Sequence, residues 1–409
     1  MKDDNVLGMI MAGGKGERLY PLTLERSKPS VPFGGKYRII DFVMSNFINS
    51  GIFSIYVLVQ YKSQSLIEHI RGGWKRQGML SRHFITVVPP QMRMDNVHDW
   101  YRGTADAIYQ NINLIRDAMP DYVAVFGADH IYRMNIKEML TFHKKNNAGV
   151  TISCIPASIK EASAFGIVEA DKSMRVTGFT EKPLSPKSIP YDKDSSFVSM
   201  GNYIFNADVL IRALEEDALL DESSHDFGKD IIPRLLNKEA VYAYDFNKNR
   251  LPGLMAKEEK AYWRDVGTIE SFYNAHMDLL GTKPKLEFSN RRWPIYSASI
   301  ECPSTRINSA DISNSLVGEG CVIGNAKITD SILGSNVVIE DGVVLNGAII
   351  MDNTVVKKQC QIKRTIIDRF NLIKPKTQIG FDRTADSKKY FVSDSGIVII
   401  KRGPRQALY

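Results

Sequence analysis

The chain has 409 residues, enough for two or three domains with buried cores. Its composition, 44% hydrophobic and 24% charged, excludes wholesale disorder. The net charge of +7 is spread along the chain, with no basic stripe or recognised module of the kind that binds nucleic acid. The four cysteines form no Cys-x-x-Cys pair, which favours a reducing compartment. No apolar run approaches the ~18 residues of a membrane span and no secretory signal is visible, so we expect a cytoplasmic protein with no membrane partner.

Short apolar runs alternate with longer amphipathic stretches from residue 1 to about residue 280. The runs predict strands at 6–11, 53–59, 122–126 and 150–155, and the stretches predict helices at 64–71, 105–117 and 136–145. This alternation is typical of a mostly parallel sheet covered on both faces, with ligands at the carboxyl ends of its strands. The sequence therefore predicts an α/β domain.

A glycine-rich turn, Gly-Gly-Lys-Gly-Glu-Arg at 13–18, follows the first predicted strand. Glycines let backbone N–H groups converge on an anion, which suits a di- or triphosphate. The spacing fits neither the P-loop nor the dinucleotide-binding fingerprint. A plain tight turn is the simpler interpretation, but Arg18 and Lys28 place more cations near the turn than it requires. We therefore interpret it as a phosphate-binding loop.

Two acidic positions and one charged pair are candidates for chemistry. Asp129 follows the apolar run 122–128; it could cap a helix, but near a phosphate loop it is better explained as a Mg²⁺ ligand. Asp265 is the candidate second carboxylate, although spacing alone does not bring the two together. Glu181 and Lys182 would be a solvated surface pair by default, or an acceptor and a cation for a sugar phosphate.

The periodicity changes from about residue 310. Aliphatic residues recur there at steps of 6, 10, 6, 6 and 6 positions: Val317, Ile323, Leu333, Ile339, Leu345 and Met351. Six-residue steps are typical of a parallel β-helix with three hexads to a coil, and the ten-residue step fits one hexad plus an excursion at 329–332. A β-sandwich would instead show period-two alternation and hairpin turns. We expect oligomer contacts and regulation on this domain rather than catalysis.

Sequence blocks along almost the whole chain resemble the sugar-nucleotide pyrophosphorylases. GGKGERL (13–19) marks only the wide class, whereas GGKYRIIDF (34–42), WYRGTADA (100–107) and YWRDVGT (262–268) resemble the branch that transfers an adenylyl group to glucose 1-phosphate. The resemblance implies a homotetramer and four segments. They are a Rossmann-like nucleotidyltransferase domain at 1–280, a linker at 281–300, a left-handed parallel β-helix at 301–385 and a C-terminal regulatory tail at 386–409.

The resemblance also implies the reaction: ATP and glucose 1-phosphate give ADP-glucose and pyrophosphate with Mg²⁺, the committed step of glycogen synthesis. The sugar phosphate would attack the α-phosphorus in line, while the protein positions both substrates and neutralises charge. Residues that match the family's motifs fall into five groups. They are Arg18, Lys28 and Asp129 for catalysis; Asp129 and Asp265 for the metal; Gly13, Gly14, Gly16, Gln91 and Gly103 for the nucleotide; Tyr101, Gly166, Glu181, Lys182 and Ser199 for glucose 1-phosphate; and Arg38, Arg369, Arg402, Gln60 and Trp100 for allosteric control by anionic effectors.

Three alternatives stay open. The first is a pyrophosphorylase for another nucleotide, such as a uridylyl or thymidylyl transferase. The second is an inactive regulatory subunit, against which the retained charged residues of the site argue. The third is an acyltransferase with a β-helix, which would need a histidine there, and none follows His276. Glu25 and Pro32 depart from the basic residues of the family's best-known activator site, which leaves the activator's identity open.

Overall fold

The computed structural model describes residues 4–74, 83–91, 100–189, 192–298 and 301–405. An α/β unit comes first in the chain and a β-helical unit follows it from residue 301. The strands of the α/β unit are β1 Val6–Ala12, β2 Pro32–Phe33, β3 Tyr37–Arg38, β4 Ser54–Val59, β5 Phe84–Val88, β6 Tyr122–Gly127, β7 His130–Tyr132, β8 Val150–Ser158, β9 Gly166–Ala170, β10 Val176–Glu181, β11 Ser195–Asn206, β12 Val241–Asp245 and β13 Trp263–Asp265. Its helices are α1 Ile39–Asn49, α2 Gln64–Gly73, α3 Thr104–Tyr109, α4 Ile112–Ala118, α5 Ile136–Lys145, α6 Ile159–Ala162, α7 Ala207–Ala218, α8 Ile232–Leu235 and α9 Ile269–Met277.

The main sheet has the order β10-β9-β11-β6-β1-β4-β5, and β8 joins it through β11. It is parallel from β6 to β5 and antiparallel where β11 meets β6, β8 and β9. The central strand β6 is buried on both faces, since residues 123–126 have no exposed surface. That is why its sequence is a continuous apolar run and not an alternating one. The predicted strands are confirmed, and so is the doubly covered α/β sheet.

The single helix predicted at 105–117 is instead two helices, α3 and α4. Asn111 separates them, because its side-chain Nδ2 donates to the Ala107 carbonyl at 2.9 Å. A continuing α-helix would give that carbonyl to the Asn111 backbone N–H, which bonds Ile108 instead. The same amide also donates to the Tyr101 hydroxyl at 3.1 Å, so the break orients a residue near the predicted site.

The second unit is a parallel β-helix. Its elements are β14 Arg306–Ile307, β15 Asp311–Ser313, β16 Leu316–Val317, β17 Val322–Ile323, β18 Lys327–Thr329, β19 Ile332–Leu333, β20 Val338–Ile339, β21 Val344–Ile350, β22 Val355–Val356, β23 Gln361–Ile367, β24 Leu372–Ile373, β25 Gln378–Ile379, α10 Arg383–Ser387, β26 Phe391–Val392 and β27 Val398–Ile400. From β14 to β25, parallel partners lie 16 or 17 residues apart, as in the pairs Val322 with Val338 and Val338 with Val355. Each coil is therefore shorter than the 18 residues that three hexads would give.

Two details of the predicted repeat are wrong. The ten-residue step is not a hexad plus an excursion, because buried Ile328 lies midway between Ile323 and Leu333 and makes two five-residue sides. Met351 is not an inward residue of the coil, since Ile350 fills the β-helix core there and Met351 packs toward the α/β unit. The parallel ladder continues past residue 385 to β27, which pairs with β23. Residues 406–409 of the predicted tail lie outside the described residues.

The two units share one hydrophobic cluster. Phe33 and Ile39 of the α/β unit belong to it together with Ile349, Met351 and Ile366 of the β-helix. A buried ion pair between Arg26 and Asp368 (Nη2 to Oδ2, 2.5 Å) also joins the units. Within the described part of the chain, no helix has the length and apolar character needed to cross a membrane.

Candidate active site

The glycine-rich loop leaves β1 at Ala12 and turns back toward Lys28. Gly16 has a φ of 64°, the left-handed conformation that favours glycine. A Cβ at Gly16 would also lie only 2.8 Å from the Lys28 Cβ, so glycine is required here both for conformation and for space. Space beside Gly14 is open, with no described atom within 4 Å of the position that a Cβ would take. The backbone of the loop therefore lies next to Lys28, and the space beside Gly14 is open for a ligand.

Asp129 and Asp265 meet at Lys28. Asp129 follows the end of β6, while the antiparallel pairing of β7 and β13 sets Asp265 opposite His130. Thr268 caps α9, its hydroxyl accepting the Ser271 N–H, and so fixes the chain just after Asp265. The Lys28 Nζ lies 3.1 Å from Asp129 Oδ2 and 2.9 Å from Asp265 Oδ1.

Charge at this centre is balanced by close contacts. Burial would lower the pKa of Lys28, but Asp129 and Asp265 outweigh it and raise that pKa above its usual value. Desolvation would raise the pKa of Asp129, yet the Lys28 ammonium and His130 outweigh it and hold that pKa well below its usual range. Arg18 adds a second cation, with Nη2 3.9 Å from Asp265 Oδ2. Lys28 and Asp129 are therefore both charged at neutral pH.

The same carboxylates are a candidate metal centre. Among the described residues, Asp129, His130 and Asp265 bring three potential ligand atoms within 4.8 Å of one another. The His130 ring lies against the Trp263 ring, with centroids 5.0 Å apart. Carboxylate oxygens suit Mg²⁺ better than an imidazole does, so the donors that fit this ion are the two aspartates.

Of the predicted sugar-phosphate residues, Gly166 begins β9, Glu181 and Lys182 lie at the end of β10, Ser199 lies on β11, and Tyr101 precedes α3. Glu181 pairs with Gly166 across β9 and β10, and its Oε1 lies 3.0 Å from Lys182 Nζ. Ser199 precedes an irregularity in β11 at Gly201, whose φ is 68° and whose N–H donates to the Ser199 hydroxyl at 3.2 Å. A Cβ at Gly127 would be 3.3 Å from Asp129 Oδ1 and 3.9 Å from the Gly201 carbonyl oxygen. The irregular segment of β11 is thus adjacent to the strand end that leads to Asp129.

Gln91, predicted to bind the nucleotide, and Gln60 and Trp100, predicted to take part in allosteric control, come after the neighbouring parallel strands in the chain. Gln60 comes after β4 and faces the glycine loop, since a Cβ at Gly13 would lie 3.3 Å from its Cβ. The Gln60 side chain donates to the Tyr101 carbonyl at 3.4 Å. Gln91 is exposed beyond β5, and Trp100 is 57% exposed. Of these three positions, Gln60 lies beside the glycine loop at the carboxyl edge of the sheet.

Gly103 packs directly on another backbone segment. A Cβ there would lie 2.2 Å from the His225 carbonyl oxygen, which accepts the N–H of Ala105 at 2.8 Å. Glycine at 103 is therefore required to seat the start of α3 on the segment that carries Asp226. Asp226 in turn accepts a hydrogen bond from the Thr104 hydroxyl at 2.9 Å.

The three predicted effector arginines lie where the two units meet. Arg402 Nη1 is 2.8 Å from Glu25 Oε2, and both residues line a small cavity with Arg26 and Asp368. Burial and the neighbouring Arg26 lower the pKa of Arg38 to about 10, and burial with Arg26 and Arg38 lowers the pKa of Arg369 to about 9. The guanidiniums are therefore crowded, yet still cationic at neutral pH.

Several residues of these sites were missed from the sequence. Arg26 is one of them, and it is the most buried member of the arginine group. His130 and Trp263 flank the two aspartates, and the Tyr203 hydroxyl is paired with Ser199, with burial raising its pKa. Asp226 is another, since it accepts the Thr104 hydroxyl at the start of α3. Each lies within or beside a motif block, but no spacing rule indicates which neighbour its side chain meets.

Two family models cover most of the chain. The nucleotidyl transferase model matches residues 7–282, and the GlmU-like C-terminal hexapeptide model matches residues 302–400, consistent with the predicted left-handed β-helix. The chain is thus a nucleotidyltransferase with a C-terminal hexapeptide-repeat domain.

Curated relatives narrow this class. The chain is 50% identical over 401 residues to a protein of Thermodesulfovibrio yellowstonii, covering 98% of this chain and 97% of the relative. It is 47% identical to one of Photobacterium profundum, with 98% of each chain covered, and 44% identical to one of Corynebacterium jeikeium, with 97% of each covered. All three are named glucose-1-phosphate adenylyltransferase. The chain belongs to the glucose-1-phosphate adenylyltransferase family.

Proposed function

We propose that this chain transfers the adenylyl group of ATP to glucose 1-phosphate, releasing pyrophosphate and forming ADP-glucose for glycogen synthesis. The observation that carries the proposal is the joint position of Lys28, Asp129 and Asp265 beside the glycine loop. The names of the relatives give the substrates. An inactive regulatory subunit would have no need to keep this charged centre intact.

The chemistry needs no covalent enzyme intermediate. A phosphate oxygen of glucose 1-phosphate forms a bond to the α-phosphorus of ATP, and the bond from that phosphorus to the oxygen bridging the β-phosphorus breaks. Arg18 and Lys28 neutralise the negative charge that grows on the departing pyrophosphate. Lys182 holds the phosphate of the sugar, and Glu181 accepts hydrogen bonds from sugar hydroxyls. The protein's task is to orient two anions that would otherwise repel each other.

Asp129 and Asp265 would hold Mg²⁺, which when bound supplies charge neutralisation on the phosphate oxygens of the nucleotide. Two carboxylates plus substrate phosphates are a donor set that Mg²⁺ prefers. Lys28, which hydrogen-bonds both carboxylates, keeps them close together and turned toward each other.

Measured turnover with different nucleotides tests this proposal. We expect ADP-glucose from ATP, glucose 1-phosphate and Mg²⁺, with much slower turnover of UTP or dTTP. Lys28→Ala should lose activity by about two orders of magnitude or more, as for other electrostatic contacts to a transition state. Lys238→Ala, which removes an exposed lysine paired with Glu216, is the matched control and should behave as wild type. Faster turnover with UTP, or equal activity of both variants, would contradict the proposal.

We also propose that an anionic effector binds among Arg38, Arg369 and Arg402. Such a ligand would contact both units. It can change the activity only by as much as it binds one arrangement of the interface between the units more tightly than the other. Glu25 already neutralises Arg402 and would repel a second phosphate. We therefore expect a singly phosphorylated sugar or a carboxylate metabolite to activate better than fructose 1,6-bisphosphate.

Activation curves for these effectors test the regulatory proposal. Glu25→Lys should lower the concentration of bisphosphate needed for half activation, and Arg369→Ala should blunt activation by every anion. The control is Glu216→Lys, the same charge change at an exposed position of α7. An activation profile led by the bisphosphate and unchanged by Glu25→Lys would refute the role of Glu25.

We propose a cytoplasmic homotetramer that uses the β-helix for contacts. Val322, Val338, Val355 and Leu372 are register partners on one sheet face. They alternate with buried inward residues and so form an outward aliphatic column. Sedimentation analysis of Leu372→Lys, compared with wild type, tests whether this column lies in a subunit contact.

A further inference from the structure

One oxygen of the Glu181 carboxylate is held between two glycines. A Cβ at Gly166 would lie 2.7 Å from Glu181 Oε2, and a Cβ at Gly228 would lie 2.8 Å from the same atom. The other oxygen, Oε1, contacts Lys182 Nζ at 3.0 Å. The position of the predicted sugar-hydroxyl acceptor, and of the lysine paired with it, therefore depends on the missing side chains of two glycines.

Gly228 lies far from Gly166 in sequence and is held rigidly. It belongs to the π-helical turn Phe227–Ile231, where its N–H donates to Asp226 Oδ1 at 2.9 Å. The Thr104 hydroxyl accepts the N–H of Phe227 at 3.0 Å and so anchors the same turn to α3. The backbone of Gly228 is not in the left-handed region, so conformation alone would allow an alanine. What glycine provides at this position is space.

We propose that Gly228 is a positioning residue for the glucose 1-phosphate site. With Gly166 it forms a slot, the Glu181 slot, that fixes the carboxylate and through it the Lys182 ammonium. The proposal rests on the proposed roles of Glu181 and Lys182 in binding the sugar phosphate. A methyl group at 228 would meet the far end of the flexible Glu181 side chain at 2.8 Å, which can move at little cost in stability, and Cε1 of the Phe179 ring at 3.3 Å, which has to shift only slightly. The protein would fold, but the carboxylate would leave its place.

The first test is Gly228→Ala. The KM for glucose 1-phosphate should rise about tenfold or more, the loss expected when a hydrogen bond to a charged group is misplaced. The KM for ATP and the thermal midpoint should stay close to wild type. Gly178→Ala is the matched control, because its Cβ would lie 2.9 to 3.1 Å from the Glu169 carboxylate, which pairs with exposed Lys187. That variant creates the same clash away from the site and should leave both KM values unchanged.

A double-mutant cycle separates the slot from a general structural role. Aspartate at 181 is shorter and would not reach the added methyl, so Glu181→Asp combined with Gly228→Ala should have the same KM for glucose 1-phosphate as Glu181→Asp alone. Additive losses would overturn the proposal. So would a rise in the KM of both substrates with Gly228→Ala. If Gly228→Ala does not fold, the double variant should fold, and its failure to do so would also overturn the slot.

A separate variant shows which idea has failed. Glu181→Gln should raise the KM for glucose 1-phosphate if Glu181 binds the sugar. An unchanged KM in this variant would refute the proposed role of Glu181. A raised KM in Glu181→Gln together with wild-type behaviour of Gly228→Ala would refute only the slot.

Discussion

Asp368→Asn should destabilise the protein far more than a surface substitution of the same kind. Asp368 Oδ2 pairs with Arg26 at 2.5 Å, and both side chains are 1% exposed. Its Oδ1 accepts the Arg369 N–H at 2.6 Å, a bond that asparagine can keep. The amide nitrogen of asparagine would then face the Arg26 guanidinium, so two donors would meet in a buried place. The substitution therefore keeps the size of the side chain but removes its charge and the acceptor of the Arg26 hydrogen bond.

The expected magnitude follows from burial. Removing one partner of a buried ion pair costs about 3 to 5 kcal/mol, because the remaining charge stays out of water without compensation. Here Arg26 also lies near Arg38 and Arg369, whose pKa values are lowered first by burial and then by the Arg26 charge. Loss of a carboxylate from that group would increase their repulsion, so we expect a loss in the upper part of this range. Replacing both partners by apolar residues, as in Arg26→Met with Asp368→Leu, should cost less than the single change.

Equilibrium unfolding with and without added anion is the assay. Inorganic phosphate that binds among the arginines, at a concentration of 100 times its Kd, would restore about 2.7 kcal/mol of the free energy of unfolding. Phosphate also stabilises proteins generally by exclusion from their surface. Asp311→Asn, at an exposed position of β15, measures that general effect. A loss in Asp368→Asn no larger than in this control, or a rescue by phosphate that is equal in both, would refute the reasoning.

Four further outcomes are expected. Asp129→Asn should fold normally and lose about two to four orders of magnitude in turnover, as for other metal and electrostatic contacts; near-normal activity at saturating Mg²⁺ would remove it from the mechanism. Lys182→Ala should raise the KM for glucose 1-phosphate far more than that for ATP, and an equal rise in both would contradict its assignment. Truncation near residue 300 exposes the apolar surface under the β-helix, so the fragment 1–300 should be insoluble or dissociated, unlike the full chain on a sizing column. Burial lowers the pKa of His276 to about 4, below the ~6.5 of an unfolded histidine, so the unfolded chain binds more protons than the folded one as pH falls. The free energy of unfolding should therefore decrease by about 2 kcal/mol between pH 7.5 and 5 because of this residue. In urea unfolding, His276→Gln should not show that part of the decrease.

The sequence predicts those parts of the fold that depend on local pattern. Strand β6 is apolar along its length because both of its faces are covered, and a continuous run of that kind indicates a central strand. The sequence indicates the glycine loop because the left-handed backbone conformation at position 16 favours glycine. The inward aliphatic residues indicate the β-helix. They do not give the length of its coil, which is 16 or 17 residues and not 18, because two five-residue sides resemble one hexad plus an excursion.

The parts that spacing did not predict depend on contacts between distant segments. Asp265 reaches Asp129 only because β13 pairs with β7 in one register, and a shift of one residue would turn it to the opposite face. From the sequence, only the family resemblance indicates that the two aspartates meet. Likewise, nothing in the run from Phe227 to Ile231 indicates that its glycine meets Glu181, since that contact depends on a π-helical turn anchored by Thr104.

Glu25 and Arg26 are neighbours in the chain, yet they neutralise two different residues of the second unit. Glu25 pairs with Arg402, and Arg26 pairs with Asp368. Both contacts cross the interface, so at adjacent positions the α/β unit offers the β-helix one acid and one base. Separation of the units would leave four charges to be hydrated again, two of them from a fully buried pair. An anion that competes with Glu25 for Arg402 would therefore act on the interface between the units and not on the substrates directly. The interface is where a signal between the two units has to begin.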